Sequence, residues 1–176
     1  MDSRSQEENI SLDSWLNGKK VLIISGERNS GKSTQIEGII TGLLKRAKNI
    51  KGVISKGYFS GKIKSGYDAV YISSGKVYQL ASITESKRFN LKQGKYFFDE
   101  KVFDEINKLL KDDMICDVNV FDEIGYLELN EKGFYPSLKH YLDNFEGQLI
   151  ISIRINLLQE VINKFQITAD SVILKM

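Results

Sequence analysis

The chain has 176 residues, 41% of them apolar and 27% charged, with a formal net charge of +2. That length suits one domain of roughly 100–200 residues, able to bury a core without disulfides or structural metal. So small a charge, with no block of one sign, does not indicate nucleic acid or a membrane surface as partner.

Residues 1–18 form a polar leader whose sizeable anchors are Trp15 and Leu16. Such a segment is expected to be partly disordered, and residues 19–176 are read as one domain. Met1–Ser11 is too polar for a signal peptide, and no apolar run approaches the ~18 residues of a membrane helix, so the expected location is cytoplasmic. Asn17-Gly18 marks a turn. Val21-Leu22-Ile23-Ile24 reads as a strand buried on both faces. From Ser33 the period changes: Ile36, Ile39, Ile40, Leu43 and Leu44 share one helix face, and Lys45, Arg46 and Lys48 suit its C-terminal end.

Between Lys51 and Ala81 the runs are short and β-like: Val53-Ile54, Tyr58-Phe59, Ala69-Val70-Tyr71-Ile72 and Val77-Tyr78. Glycine-containing turns separate them, predicting an antiparallel meander, an insert of about 57–98 once the following stretch is included. Glu85–Phe98 reads as an extended loop or lid. Tyr58, Phe59 and Tyr71 are expected to pack within the meander. Val102, Phe103, Ile106, Leu109 and Leu110 mark a second helix face, followed by a buried strand at Val118–Phe121. The lone Cys116, at the edge of that run, excludes an internal disulfide, fits a reducing compartment and is expected to be a buried thiol. Leu138, Leu142 and Phe145 mark a third helix, on which the lone His140 is expected to be a solvated surface residue. A single histidine also leaves no histidine–cysteine zinc cluster. Leu149–Ile151, the helical spacing of Leu157, Leu158, Val161, Ile162 and Phe165, and Val172–Leu174 complete an alternation of strands and helices. The pattern predicts a three-layer α/β fold with a mostly parallel sheet.

Gly26-Glu27-Arg28-Asn29-Ser30-Gly31-Lys32-Ser33 fits the phosphate-loop pattern at every fixed position, and it stands between a buried strand and an amphipathic helix. Backbone N–H groups of such a loop converge on an anion at a helix N-terminus. Lys32 would reach the outer phosphates, the Ser33 hydroxyl would take one position on Mg²⁺, and Thr34 extends the nucleotide-binding segment. Asn29 is the non-glycine residue best suited to left-handed geometry. It also resembles the asparagine of potassium-stimulated P-loop GTPases, which helps hold a monovalent cation, so K⁺ joins Mg²⁺ as a candidate. Val118–Phe121 ends in Asp122-Glu123: Asp122 can hold Mg²⁺ through water, and Glu123 can orient or deprotonate an attacking water. Arg154, with Ser152 as second candidate, follows a strand on the sheet edge expected to face the nucleotide, where a polar or basic group could sense the γ-phosphate. The guanine-reading Asn-Lys-x-Asp is missing, because Asn107-Lys108 and Asn163-Lys164 both lack the final aspartate.

The run Asp122-Glu123-Ile124-Gly125-Tyr126-Leu127-Glu128-Leu129 resembles the signature of the small P-loop nucleoside-triphosphatase family. Gly57-Tyr58-Phe59-Ser60 is similar to its glycine–aromatic–aromatic–Thr segment, and Gly94-Lys95-Tyr96 with Phe103 to the stretch before its third helix. The resemblance implies a RecA-like sheet with an inserted hairpin and slow, Mg²⁺-dependent hydrolysis of NTPs such as ATP or GTP with broad base preference. It carries over to Lys32, Ser33, Asp122 and Glu123, and more loosely to Glu128. Where family members continue with acidic and arginine residues, this chain has Gly61-Lys62-Ile63-Lys64. Three functions stay open: an NTP hydrolase, favoured by adjacent Asp122 and Glu123; a phosphotransferase acting on a nucleoside or small acceptor; and a nucleotide-holding switch with a protein partner. Arg88 is the single arginine of Glu85–Phe98, which argues against an arginine-bearing kinase lid.

Overall fold

The computed structural model describes residues 15–112, 115–167 and 171–176; most of the predicted leader lies outside them. Its elements in chain order are β1 (Val21–Gly26), α1 (Lys32–Lys45), β2 (Ile50–Ser60), β3 (Ile63–Tyr71), β4 (Lys76–Ser82), β5 (Leu91–Gln93), β6 (Tyr96–Phe98) and α2 (Glu100–Asp112). Then follow β7 (Val118–Ile124), the short α3 (Tyr126–Leu129), α4 (Tyr135–Asn144), β8 (Gln148–Arg154), a 3₁₀ turn at Ile155–Leu157, α5 (Leu158–Phe165) and β9 (Ser171–Lys175). No helix among the described residues is long and apolar enough to cross a membrane.

The nine strands of the described residues join one sheet in the order β5-β6-β4-β3-β2-β7-β8-β1-β9. From β2 to β9 every neighbouring pair is parallel, while β3, β4, β6 and β5 extend the β2 edge antiparallel. In chain order the parallel strands therefore run second, third, fourth, first, fifth, which is the RecA-like arrangement. The mixed α/β sheet agrees with the sequence pattern, and its alternation explains the layers. Val21 and Ile23 pack with Phe103, Leu138, Tyr141 and Val161 of α2, α4 and α5. Leu22 and Ile24 face the other way, onto Trp15 and the Ile36, Ile39, Ile40 and Leu43 stripe of α1. Each fully buried side chain of this kind contributes roughly 1.5–3 kcal/mol.

β2 belongs to both parts of the sheet. Ile50–Val53 pairs with β7, and Val53–Ser60 with β3, so Gly57, expected between strands, lies inside one strand of 11 residues, and Ser65-Gly66 likewise lies inside β3. At Gly52 (φ +121°) a Cβ would stand 2.2 Å from the Val120 carbonyl oxygen, so only glycine lets β2 lie this close to β7. The expected Glu85–Phe98 loop is also partly regular. Residues 91–98 form a hairpin that turns at Gly94 (φ 60°) and hangs on β4 through Ala81 and Ser82. The short strands gave too little alternating pattern to be recognised.

Of the three aromatic residues expected to pack in the meander, Tyr71 is buried and the Tyr58 hydroxyl donates to the Ala81 carbonyl at 3.0 Å. Phe59 instead stays 63% exposed near the β2–β3 turn. Cys116 and His140 are each half-buried.

Candidate active site

The chemistry-bearing residues gather at the carboxyl ends of the parallel strands, where an open α/β sheet offers its crevice. β1 delivers the Gly26–Ser33 loop, β7 Asp122 and Glu123, β8 Ser152 and Arg154, and β2 the backbone of Ser55. Because β8 separates β1 from β7, a residue of β8 can touch both the loop's neighbourhood and the acidic pair.

The loop has the backbone its sequence demands. Asn29 (φ 62°) and Gly31 (φ 93°) both take left-handed geometry, as expected for asparagine and glycine there. The Ser30 N–H donates to the Glu27 carbonyl at 3.3 Å, which closes the turn. Lys32 is 3% exposed, and its ammonium donates to the carbonyls of Gly26 (3.2 Å) and Glu27 (2.8 Å). Asn29–Thr34 line a cleft of about 440 Å³, opposite Ser55, Lys56, Gly57, Lys64 and Tyr67 of the β2–β3 hairpin, with Glu123 beside them. The Arg28 side chain leaves the loop in another direction, its guanidinium donating to the Tyr96 hydroxyl at 3.3 Å.

Asp122 is the hub. Ser33 Oγ donates to its Oδ2 at 2.8 Å, the Ser55 N–H to the same oxygen at 3.1 Å, and Ser152 Oγ to its Oδ1. The Ser152 hydroxyl in turn accepts from the Glu123 N–H at 2.8 Å. The β7–β8 register slips between Phe121 and Ile124, and Glu123 has φ 62°. In a regular strand, adjacent side chains point to opposite faces. The bulge instead lets Asp122 touch Ser33 in the first turn of α1 while Glu123 lines the same cleft as that serine. Arg154 Nε stands 3.7 Å from Glu123 Oε2, an ion pair one-third exposed.

Burial pushes the Asp122 carboxyl above the usual carboxylate range, against the hydrogen bond from Ser152, and the neighbouring Glu123 pushes the same way. Among the described residues no cation pairs with Asp122, nor does any cluster of three histidine, cysteine or acidic residues form a protein-only metal cage. A buried carboxylate in contact with a hydroxyl at a phosphate loop suits Mg²⁺, which prefers phosphate oxygens and water to an all-protein cage.

A second carboxylate lies behind this shell. Glu128 is 3% exposed and accepts the N–H groups of Gly125 and Phe134, each at 2.9 Å. It thereby ties both ends of the turn that follows Glu123. Burial pushes its carboxyl up to about 7.

The family model described as NTPase matches residues 21–176. The chain belongs to the NTPase family. It is 29% identical over 147 residues to "Nucleoside-triphosphatase THEP1" of Methanothermobacter thermautotrophicus, covering 80% of this chain and 79% of that one. With the protein of the same name from Pyrococcus abyssi the identity is 25% over 122 residues, covering 66% of this chain and 65% of the relative. Among solved structures, THEP1 from Aquifex aeolicus matches with a TM-score of 0.65 at 22% identity, covering 88% of each chain. A human cancer-related nucleoside triphosphatase matches with a TM-score of 0.68 at 20% identity, over 89% of this chain and 88% of that one. These two likenesses establish the NTPase-family fold.

Within this NTPase-family site, Lys32, Ser33, Asp122, Glu123 and Arg154 come together as the sequence suggests. Two residues beside these groups were not foreseen from the sequence. Ser55 meets Asp122 through its backbone N–H, which no side-chain pattern reveals. Lys64, on the hairpin where the sequence departs from the family pattern, lies across the cleft from the phosphate loop.

Proposed function

We propose that this protein hydrolyses nucleoside triphosphates to the diphosphate and phosphate, with Mg²⁺ as its metal and broad base preference. Membership of the NTPase family supports NTP hydrolysis in general. The observation that carries the finer reading is the bulge in β7, which sets Glu123 beside Asp122 and Ser33 at the mouth of the loop. Loop N–H groups bind the phosphates. The Lys32 ammonium exchanges the Gly26 and Glu27 carbonyls for phosphate oxygens. Ser33 Oγ and, through water, Asp122 would hold Mg²⁺, which would supply neutralisation of the charge on the transferring group. Glu123 takes a proton from the attacking water, and Arg154 orients that carboxylate from 3.7 Å. The missing guanine-reading motif supports broad base preference. The left-handed Asn29 keeps K⁺ as a candidate second cation, and the single cysteine goes with a cytoplasmic location.

The test is phosphate release from ATP, GTP, CTP and UTP with Mg²⁺, in sodium and in potassium buffer, for wild type and Glu123→Gln. All four nucleotides are expected to be cleaved by wild type, with a loss of roughly 100–1,000-fold in the variant at unchanged nucleotide affinity. Equal hydrolysis in the two proteins refutes the assignment of Glu123.

One observation favours a second reading, phosphoryl transfer to a small acceptor. A further cavity of about 190 Å³ lies on the other side of Glu123, walled by Tyr67, Tyr96, Phe98 and Phe103. That is far more room than one attacking water needs. Label from γ-phosphate-labelled ATP appearing on an added nucleoside, rather than as free phosphate, would select it. Tight binding with neither product would leave the nucleotide-holding switch.

A further inference from the structure

From the hairpin geometry we infer that Lys64 is a built-in cationic finger that contacts the γ-phosphate in hydrolysis. The inference rests on the NTP-hydrolase reading and adds a catalytic residue to it.

Lys64 sits on β3, opposite Phe59 of β2, just past the register slip between Tyr58 and Phe59. The slip displaces its side chain along the hairpin. The stem lies in the space left by the missing side chain of Gly57, where a Cβ would stand 2.1 Å from Lys64 Cε and 2.7 Å from Nζ. The ammonium rests 4.0 Å from the centre of the Tyr67 ring. This berth points it into the cleft lined by Lys32, Ser33 and Glu123.

Among the described residues Lys64 has no carboxylate partner, whereas two of the neighbouring cations do. Lys56 pairs with Glu37 at 2.9 Å, and Arg154 stands by Glu123. Arg28 is held by Tyr96. Among the described residues, no carboxylate lies within ion-pair distance of Lys64, although its side chain is half-buried. Burial lowers its proton affinity; Tyr96 and Glu123 raise it, and Arg28 and Arg154 lower it again. A partly desolvated ammonium held by an aromatic face and aimed at a phosphate loop lacks only the phosphate. In the transition state of cleavage the charge of the transferring group is spread over its equatorial oxygens, so a cation held beside them stabilises it, and the product diphosphate has no such group to contact.

The experiment compares binding of ADP and of a non-hydrolysable ATP analogue, both with Mg²⁺, alongside kcat. Lys64→Ala is expected to weaken the analogue about 10-fold while leaving ADP within about 2-fold, and to lower kcat roughly 100-fold. Lys64→Arg should restore most of both losses. Gly57→Ala should reproduce the Lys64→Ala pattern in a folded protein, because the new methyl group meets only the flexible end of a side chain and evicts it. Lys62→Ala, exposed at the same turn, should match wild type. Equal weakening of ADP and analogue, or no change in either, overturns the inference. If wild type proves to release no phosphate from any NTP, the hydrolase reading falls. The ratio of the two affinities still decides whether Lys64 meets the γ-phosphate.

Discussion

Replacing Glu128 by glutamine should change how stability depends on pH more than it changes stability at any one pH. The wild-type carboxyl is buried beside Gly133, whose φ of 64° lets the chain lie against it, and it accepts two backbone N–H groups. Burial raises it from 4.5 to about 7, although the N–H groups of Phe134 and Gly125 pull the other way. Below pH 4.5 the group is protonated in folded and unfolded chains alike. Between pH 4.5 and 7 the unfolded chain has released a proton that the folded chain keeps, so stability falls as pH rises, by about 1.4 kcal/mol for each pH unit. The whole interval removes about 3 kcal/mol, and the loss levels off above pH 7. Glutamine does not titrate and accepts only one of the two N–H groups. The variant should therefore be less stable than wild type by about 1–2 kcal/mol at pH 4, from the unmatched N–H. By pH 8 it should equal or exceed wild type. Urea denaturation of both proteins at pH 4, 5.5, 7 and 8 measures the difference directly, and other titrating groups cancel in it. Profiles that stay parallel within about 1 kcal/mol across that range would refute a Glu128 carboxyl held neutral by burial.

Two further perturbations test the frame around the site. Asn119 lies fully buried in β7 with neither amide atom hydrogen-bonded among the described residues, so Asn119→Val should raise stability by about 1–2 kcal/mol, read as a higher urea midpoint at unchanged slope. A lower midpoint would mean that the amide has a polar role. Gly52→Ala meets the Val120 backbone rather than a movable side chain, and should destabilise by at least about 3 kcal/mol in thermal unfolding. A loss below about 1 kcal/mol would show that β2 and β7 can move apart freely.

Much of this protein is legible in its sequence because the signals are local. The phosphate loop is contiguous, and its conformation follows from glycine and asparagine at the positions that need φ above zero. The apolar runs at Val21–Ile24 and Val118–Phe121 and the stripe on α1 mark buried strands and a helix face by periodicity alone. The acidic pair and Arg154 were found as strand-end residues. Tertiary structure decided how these parts meet. That β8 lies between β1 and β7, and so brings the Ser152 hydroxyl onto both Asp122 and the Glu123 backbone, is a property of strand order that no local pattern carries. The bulge that sets Asp122 and Glu123 at one cleft overrides the alternation their spacing implies. Lys64 was readable only as a departure from a family pattern. Its access to the cleft depends on a register slip, a glycine on the partner strand and a tyrosine ring, three contacts formed only once β2 and β3 are paired. Sequence determined which groups could bind and cleave a phosphate, since that is a matter of side-chain chemistry. Only the folded sheet decided which of them share one cleft, since that depends on pairing between residues far apart in the chain.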